Sequence, residues 1–526
     1  MGWRRPRRLI TSRGPTRPRE GLLAGLMEVE PVRASISSVV LTGIEAIPCR
    51  VEIALLDDKT AKTTIVGLPD TAVKESIERV RAAMDACRLP YPPGRVTISL
   101  APAALRKEGP QYDLPIAIGL LVASGYLDRS ARGRVVDTMV IGELALNGSV
   151  NPVRGAVAVA ELARRIHVGQ VLMPSSVASI GALVPDVRVL PVSNLTEAVE
   201  FFNGTHDISP ATGRVATSVA PGNDLSELRG QALPRRALMV AAAGWHNLLM
   251  IGPPGTGKTS LARCLPGILP TPRPDESLEM ARIASIAGTD EDAARASVTR
   301  PFRAPHHTAS AVSIVGGGTR PRPGEITLAH QGVLFLDELP EFQRGALEAL
   351  REPLERDEVV IARAAGRATF PSRVLLVAAM NPTRRGRGRL GSDGSLDRLS
   401  GPLLDRIDMH VEVPPIPVED LDHQRLGQSS GEVRQRVERA WRVQQRRQGV
   451  TPNGRLKTRQ LDALASLKDD ARRLLREAVE QFGLSARAWD RIRRIARTLA
   501  DLDEVAQVDQ SHIAEAVQYR WLDRAC

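Results

Sequence analysis

The segment Gly252-Pro-Pro-Gly-Thr-Gly-Lys-Thr-Ser260 restricts the fold of this chain more than any other. The apolar run Asn247–Ile251 leads into it, and a helical pattern leaves it. Glycines at this spacing let consecutive backbone N–H groups curl around an anion, a path that side chains would obstruct. The positive end of the following helix points at the same place. We therefore assign Gly252, Pro253, Pro254, Gly255, Thr256, Gly257, Lys258, Thr259 and Ser260 to binding of a nucleoside triphosphate. In this reading Lys258 reaches the β- and γ-phosphates and the Thr259 hydroxyl ligates magnesium, so the cofactors expected are ATP and Mg2+.

Two further apolar runs, Gly332–Leu336 and Val374–Ala379, accompany Asn247–Ile251. Fully apolar strands of this kind belong in a parallel sheet covered on both faces. The first of them ends in Asp337-Glu338. Asp337 suits a magnesium ligand, and Glu338 suits the polarisation of an attacking water. Two acids ending a buried strand need charge compensation, which a metal provides. The other run ends near Asn381-Pro382, where an amide can orient the water beside the γ-phosphate. Arg406, in Leu403-Leu-Asp-Arg-Ile-Asp408, and Arg487, in Leu484-Ser-Ala-Arg-Ala-Trp489, complete the candidate catalytic set. A guanidinium beside a γ-phosphate stabilises developing charge, and one supplied in trans couples neighbouring subunits.

The 526 residues exceed one compact core and divide by pattern. Residues 1–28 read as a basic, unstructured tail and 29–205 as an α/β domain, followed by a polar linker over 206–224. The second α/β block spans 225–415, and 416–526 is all helical. In the first domain, Val51–Leu56, Thr63–Val66 and Arg95–Leu100 read as strands, with helices over Thr71–Cys87, Pro115–Ser124 and Ala156–Ile166. In the last, the helices expected are Glu432–Gln448, Thr458–Ala465, Asp470–Phe482, Ala486–Leu499 and Asp509–Tyr519. Of the net charge of +11, residues 1–20 supply about +6 through seven arginines against one glutamate, so the body is only mildly basic. No apolar run approaches the ~18 residues of a membrane span. Cys49, Cys87, Cys264 and Cys526 lack C-x-x-C spacing or a nearby histidine, which excludes a recognisable zinc site and suits a reducing cytoplasm.

The ordered set of phosphate loop, acidic strand end, Asn381, Arg406 and Arg487 resembles the AAA+ superfamily of P-loop ATPases. More narrowly, the wording is similar to the YifB/ComM family of magnesium-chelatase-like ATPases. It is carried by Gly67-Leu-Pro-Asp-Thr-Ala-Val-Lys-Glu-Ser-Ile-Glu-Arg-Val-Arg-Ala82, Arg106-Lys-Glu-Gly-Pro-Gln-Tyr-Asp-Leu-Pro115, Arg300-Pro-Phe-Arg-Ala-Pro-His-His307, Pro323-Gly-Glu-Ile-Thr-Leu-Ala-His330 and Leu399–Asp408. The resemblance covers the chain from about residue 35 to its end. It implies a Lon-protease-like α/β domain, a P-loop AAA+ parallel-sheet core and an all-helical C-terminal lid domain. It also implies Asn381 as sensor 1, Arg406 as a finger acting on a neighbour's ATP, Arg487 as sensor 2, a homo-hexamer, and an ATP-driven DNA motor of branch-migration or helicase type.

Two departures from the family pattern stand out. The Cys-rich insert usual after sensor 1 is replaced by Asn381-Pro-Thr-Arg-Arg-Gly-Arg-Gly-Arg389, a cationic loop suited to phosphates. In the Lon-like domain, Gln111 and Val157 stand where a Ser-Lys dyad would be, so no acyl-enzyme and no protease activity is expected. Arg320 and Arg322, in a loop after Gly316, and Arg363 and Arg367, at a hairpin turn, are candidate DNA contacts. His306-His307 reads as an ordered structural turn, and Asp490–Arg497 as a solvated basic helix face. The alternatives to a DNA motor are a magnesium-chelatase motor subunit and a protein-remodelling ATPase.

Overall fold

The structure, a computed structural model, describes residues 32–56, 62–127, 131–213, 223–296, 298–318, 321–363, 366–383, 399, 401–416 and 427–524. The N-terminal sheet has seven strands in the order Lys62–Val66, Arg95–Ala101, Glu45–Leu56, Val32–Thr42, Thr138–Val140, Gln170–Pro174 and Arg188–Val192. Val32–Thr42, Glu45–Leu56 and Arg95–Ala101 pair antiparallel, and the remaining strands add in parallel. The sequence reading caught only the second half of Glu45–Leu56 and missed Val32–Thr42. In Glu45–Leu56 exposed polar residues alternate with buried ones, and in Val32–Thr42 the buried Ser38 and exposed Ser35 interrupt the apolar residues, so no long apolar run announces either strand. Helix Asp113–Ala123 is buried along almost its whole length, and its Asp113 is held by Arg79 Nε at 2.7 Å from helix Thr71–Ala86. Burial pushes the Asp113 carboxyl up, against the lowering effect of its hydrogen bond from Arg79.

The second sheet is wholly parallel, in the order Phe302–Arg303, Val333–Leu336, Leu375–Met380, Leu248–Ile251, Met409–Glu412. Strand alternation splits its side chains between two cores. Leu248, Met250, Val333, Phe335, Val377 and Ala379 join one cluster, and Leu249, Ile251, Leu334, Leu336, Ala378 and Met380 join the other. Both faces are therefore covered, as the apolar runs required. Leu248–Ile251 lies between Leu375–Met380 and Met409–Glu412; the connection leaving it runs toward the Phe302–Arg303 edge, whereas the one leaving Leu375–Met380 runs the opposite way, to Met409–Glu412. A crevice at the carboxyl ends of such strands is where open α/β sheets bind ligands.

The C-terminal helices Ser430–Gln448, Thr458–Leu464, Asp469–Phe482, Ala486–Leu502 and Gln510–Gln518 match the expected set to within a few residues. They share one apolar cluster with the sheet: Val437, Ile495 and Leu499 pack with Leu238 and Met250, and Trp441 meets Trp245 edge-on at 6.1 Å. The basic face expected over Asp490–Arg497 is corrected here, because Arg491, Arg493 and Arg497 are buried. Arg491 is matched by Asp405 and Asp408 and Arg493 by Asp462, all from other segments, while Asp490 and Asp501 of the same helix pair with Arg493 and Arg497. Periodicity marks which face is charged; partners brought by the fold decide whether that face is wet. On the other side, helix Pro274–Ala287 packs against the N-terminal domain through Met280, Ala281 and Ala284. No helix among the described residues is long and apolar enough to cross a membrane.

Candidate nucleotide site

Strand Leu248–Ile251 delivers the chain to Gly252 between two neighbours. Gly252 N–H donates to Met380 O at 3.2 Å, and a Cβ at Gly252 would stand 2.1 Å from Val413 O. Only a residue without a side chain passes this gap. Gly255 and Gly257 follow with φ of +79° and +86°, and nothing lies within 4 Å of where their Cβ atoms would be. Their left-handed backbone, rather than crowding, is what calls for glycine. The loop then enters helix Lys258–Arg263.

Lys258 is buried, and its ammonium donates inward to Gly252 O at 2.6 Å, Pro253 O at 2.8 Å and Asn381 Oδ1 at 3.1 Å. All three acceptors are neutral. Desolvation holds its pKa below the usual lysine value, despite the opposing pull of Asp337 and Glu338. A buried cation with neutral partners favours an added anion. Next to it, Thr259 Oγ1 donates to Asp337 Oδ2 at 2.6 Å. A hydroxyl and a carboxylate in contact, both oxygen donors, fit a magnesium ion that takes its remaining ligands from phosphate and water.

Glu338 follows Asp337 in the left-handed region, at φ +53°, with its N–H on Asp337 Oδ1 at 3.0 Å. Such a backbone in a non-glycine residue costs about 1–3 kcal/mol and gathers at functional sites. It sends the carboxylate out to His307, whose Nδ1 lies 3.2 Å from Glu338 Oε2. His307 packs against His306, with ring centroids 4.1 Å apart and the planes tilted by 33°, and His306 is tied to Thr308 Oγ1 at 2.9 Å. The histidine pair is thus an ordered turn, as read, but it also touches a candidate catalytic acid. Sequence gave no sign of that contact, because residues 307 and 338 meet only through the sheet. Gln231 was missed for the same reason: its Nε2 donates to Pro414 O at 2.7 Å and to Thr256 O at 3.4 Å, across the phosphate loop.

Arg406 and Arg487 form a second group. Arg406 donates to Pro402 O at 2.7 Å, to Arg351 O at 3.2 Å and to Glu355. The exposed Arg487 donates to Asp405 Oδ2 at 2.9 Å. Among the candidate DNA contacts, Arg322 is exposed in a short ladder of Gly316–Gly317 with Arg322–Pro323. Arg367 is exposed beside the turn of hairpin Glu358–Arg363/Gly366–Pro371, which also carries Arg363. Ile361 Cδ1 lies 3.1 Å from where a Cβ on Gly316 would be, so the two hairpins adjoin. Arg320 and the arginines of 384–389 lie outside the described residues. In the N-terminal domain, Gln111 Nε2 donates to Val39 O at 3.5 Å, Val157 is core, and Lys107 is buried with its ammonium on the Pro102 and Leu105 carbonyls.

Three family descriptions match successive parts of the chain: subunit ChlI of Mg-chelatase over residues 51–177, magnesium chelatase subunit ChlI over 224–421, and its C-terminal region over 427–520. The protein YifB of Salmonella typhimurium is 41% identical over 491 residues, covering 92% of this chain and 96% of its own. The competence protein ComM of Haemophilus influenzae is 41% identical over 496 residues, with the same coverage. The chain belongs to the YifB/ComM family of magnesium-chelatase-like proteins. An uncharacterised protein of Mycobacterium tuberculosis is 37% identical over 480 residues, 87% of this chain and 92% of its own. Likeness to the magnesium-chelatase 67 kDa subunit of Chlorobaculum tepidum is narrower, 27% over 199 residues and 37% of this chain. The mixed α/β fold with a parallel core sheet and a helical C-terminal region is that of the AAA+ magnesium-chelatase-like proteins.

Proposed function

We propose that this family member is an ATP-hydrolysing, ring-forming motor that remodels DNA, of branch-migration or helicase type, in recombination or DNA uptake. The observation that carries the ATPase reading is the buried Lys258 ammonium, met only by neutral oxygens and set beside the Thr259–Asp337 contact. Lys258 and the N–H groups of Gly255–Ser260 bind the phosphates, and Thr259 and Asp337 would hold magnesium. When bound, that ion offsets charge on the β- and γ-phosphate oxygens. Glu338 takes the proton of the attacking water, and Asn381, already within reach of Lys258, orients that water. Arg406 serves the ATP of the next subunit in a homo-hexamer, and Arg487 acts as sensor 2.

The DNA reading is supported by the adjoining hairpins that carry Arg322, Arg363 and Arg367, and by the competence protein among the relatives. The magnesium-chelatase reading has the family descriptions in its favour, but the chelatase subunit matches little more than a third of this chain. One measurement separates the readings: ATP turnover with branched or single-stranded DNA, with a porphyrin, or with neither. A several-fold rise with DNA that falls steeply with salt is expected. A rise with porphyrin alone would favour the chelatase reading, and a rise with neither would favour a protein-remodelling ATPase.

A further inference from the structure

A residue at the tip of a tight hairpin ordinarily meets water, and Ile44 does not. Strands Val32–Thr42 and Glu45–Leu56 pair as far as Thr42 and Glu45, which leaves Gly43 and Ile44 as a two-residue loop. Gly43 takes φ of +62° at the first loop position, where such a loop calls for glycine. Ile44 is nonetheless only 5% exposed. What covers it belongs to the ATPase core. A Cβ on Gly43 would stand 3.1 Å from Ala368 Cβ and 3.7 Å from Phe370 Cζ. Among the described residues, Ile44 is the one member of the N-terminal domain in the buried apolar cluster that holds Val359, Ile361, Ala368 and Phe370.

Those four residues are the buried face of hairpin Glu358–Arg363/Gly366–Pro371, paired across it as Val359 with Phe370 and Ile361 with Ala368. Alternation puts Val360, Ala362, Arg367 and Thr369 on the other face, exposed. The hairpin that carries Arg363 and Arg367 is thus seated along one face, by the Gly43–Ile44 turn at Ala368 and Phe370 and by Gly316 at Ile361. The turn is itself fastened. Arg165 donates to Ala46 O at 3.1 Å and stands 3.8 Å from Glu45, while Arg282 of core helix Pro274–Ala287 stands 3.8 Å from Glu45 and 3.5 Å from Glu161. The foot of the hairpin is held independently, by Ser372 N–H on Asp357 O at 2.7 Å and the Ser372 hydroxyl on Pro353 O at 3.3 Å. Loosening the seat therefore frees the hairpin and leaves strand Leu375–Met380, which ends beside Asn381, in register with its neighbours.

We propose that the Gly43–Ile44 turn positions the arginine hairpin for nucleic acid, with Ile44 as the positioning residue. The N-terminal domain then sets how firmly the core grips DNA without touching the nucleotide site. A hairpin already held in one pose loses little freedom when its arginines meet phosphates. A loosened one must be ordered first, which weakens binding and leaves the rate of the bound complex alone. This rests on the reading of Arg363 and Arg367 as DNA contacts.

The test uses the full chain with Ile44→Val and Ile44→Ala, a graded removal of the buried side chain. Hydrogen exchange of peptides from 358–371 is expected to speed up about two- to fourfold in the first and about tenfold or more in the second, with peptides from 248–263 unchanged. Parental exchange in the hairpin, or acceleration spread equally over 248–263, overturns the seat. For function, ATP turnover is measured against rising single-stranded DNA. The DNA concentration at half-maximal stimulation is expected to rise about threefold or more in Ile44→Ala and less in Ile44→Val, while the DNA-free and maximal rates stay within about twofold. An unshifted half-saturation in a variant with a loosened hairpin overturns the positioning role, as does a lost DNA-free rate. If DNA does not stimulate even the parent, the DNA reading fails and the positioning role with it, whereas the exchange result still decides whether the turn seats the hairpin.

Discussion

Replacing Lys258 by alanine separates two effects that meet in one side chain. The ammonium is buried among Gly252 O, Pro253 O and Asn381 Oδ1, with no carboxylate in ion-pair contact among the described residues. Neutral hydrogen bonds return about 0.5–1.5 kcal/mol each, which offsets the desolvation of the charge only in part. Lys258→Ala is therefore expected to leave the empty protein at least as stable to heat or urea as the parent. With ATP present the order reverses. One charge-assisted hydrogen bond to each of two phosphates, at about 1.5–3 kcal/mol apiece, amounts to roughly 10² to 10⁴ in affinity and turnover. The stabilisation that Mg-ATP confers on the parent should accordingly be absent in the variant, and hydrolysis should fall to background.

A pH arm makes the argument stricter. Burial lowers the folded pKa of Lys258 below the ordinary 10.5, so between the two values the unfolded chain binds more protons. Stability contributed by this site rises with pH through that window and is lost as pH falls through the folded value. The margin of the variant over the parent should therefore shrink as pH climbs toward the ordinary lysine value. Melting curves with and without Mg-ATP across that range, together with phosphate release, provide the measurement. Hydrolysis at the parental rate would refute the assignment of the site. A marked loss of stability in the empty variant would refute the account of Lys258 as an uncompensated cation.

Two other substitutions test the frame around it. Gly252→Ala places a Cβ against Val413 O, and relieving that overlap should cost about 1–3 kcal/mol and raise the urea sensitivity of the core, read by denaturation of the empty protein. His307→Ala removes the contact on Glu338 and should lower kcat about two- to tenfold while the KM for ATP stays within about twofold. A raised KM with unchanged kcat would place His307 in substrate binding instead.

The phosphate loop, the Asp337-Glu338 strand end and Asn381 were legible in the chain because their neighbours in sequence are also their context. A strand, a turn and a helix in immediate succession leave a pattern that periodicity and glycine spacing expose. The C-terminal helices were legible for a related reason, since each carries its own stripe and caps; Ser429, for example, accepts from Glu432 N–H at 3.3 Å to open Ser430–Gln448. Sequence likewise indicated a hairpin at Arg363–Arg367 from its local turn.

What only the tertiary structure decided are meetings between residues far apart in the chain. His307 reaches Glu338, Gln231 reaches Thr256, and Arg491 comes to lie between Asp405 and Asp408. The i,i+3 and i,i+4 acids Asp490 and Asp501 are spaced as on any solvated helix face, and Asp405, Asp408 and Asp462 come from distant segments, so nothing in the run Asp490–Arg497 distinguished a buried arginine from a solvated one. The sheet order places the foot of the phosphate-loop strand, through Asn247, between Leu376 and the Arg406 turn. Local pattern thus determined which residues could hold a nucleotide. The packing of distant elements determined what each of them touches, because burial and partnership are properties of the assembled fold.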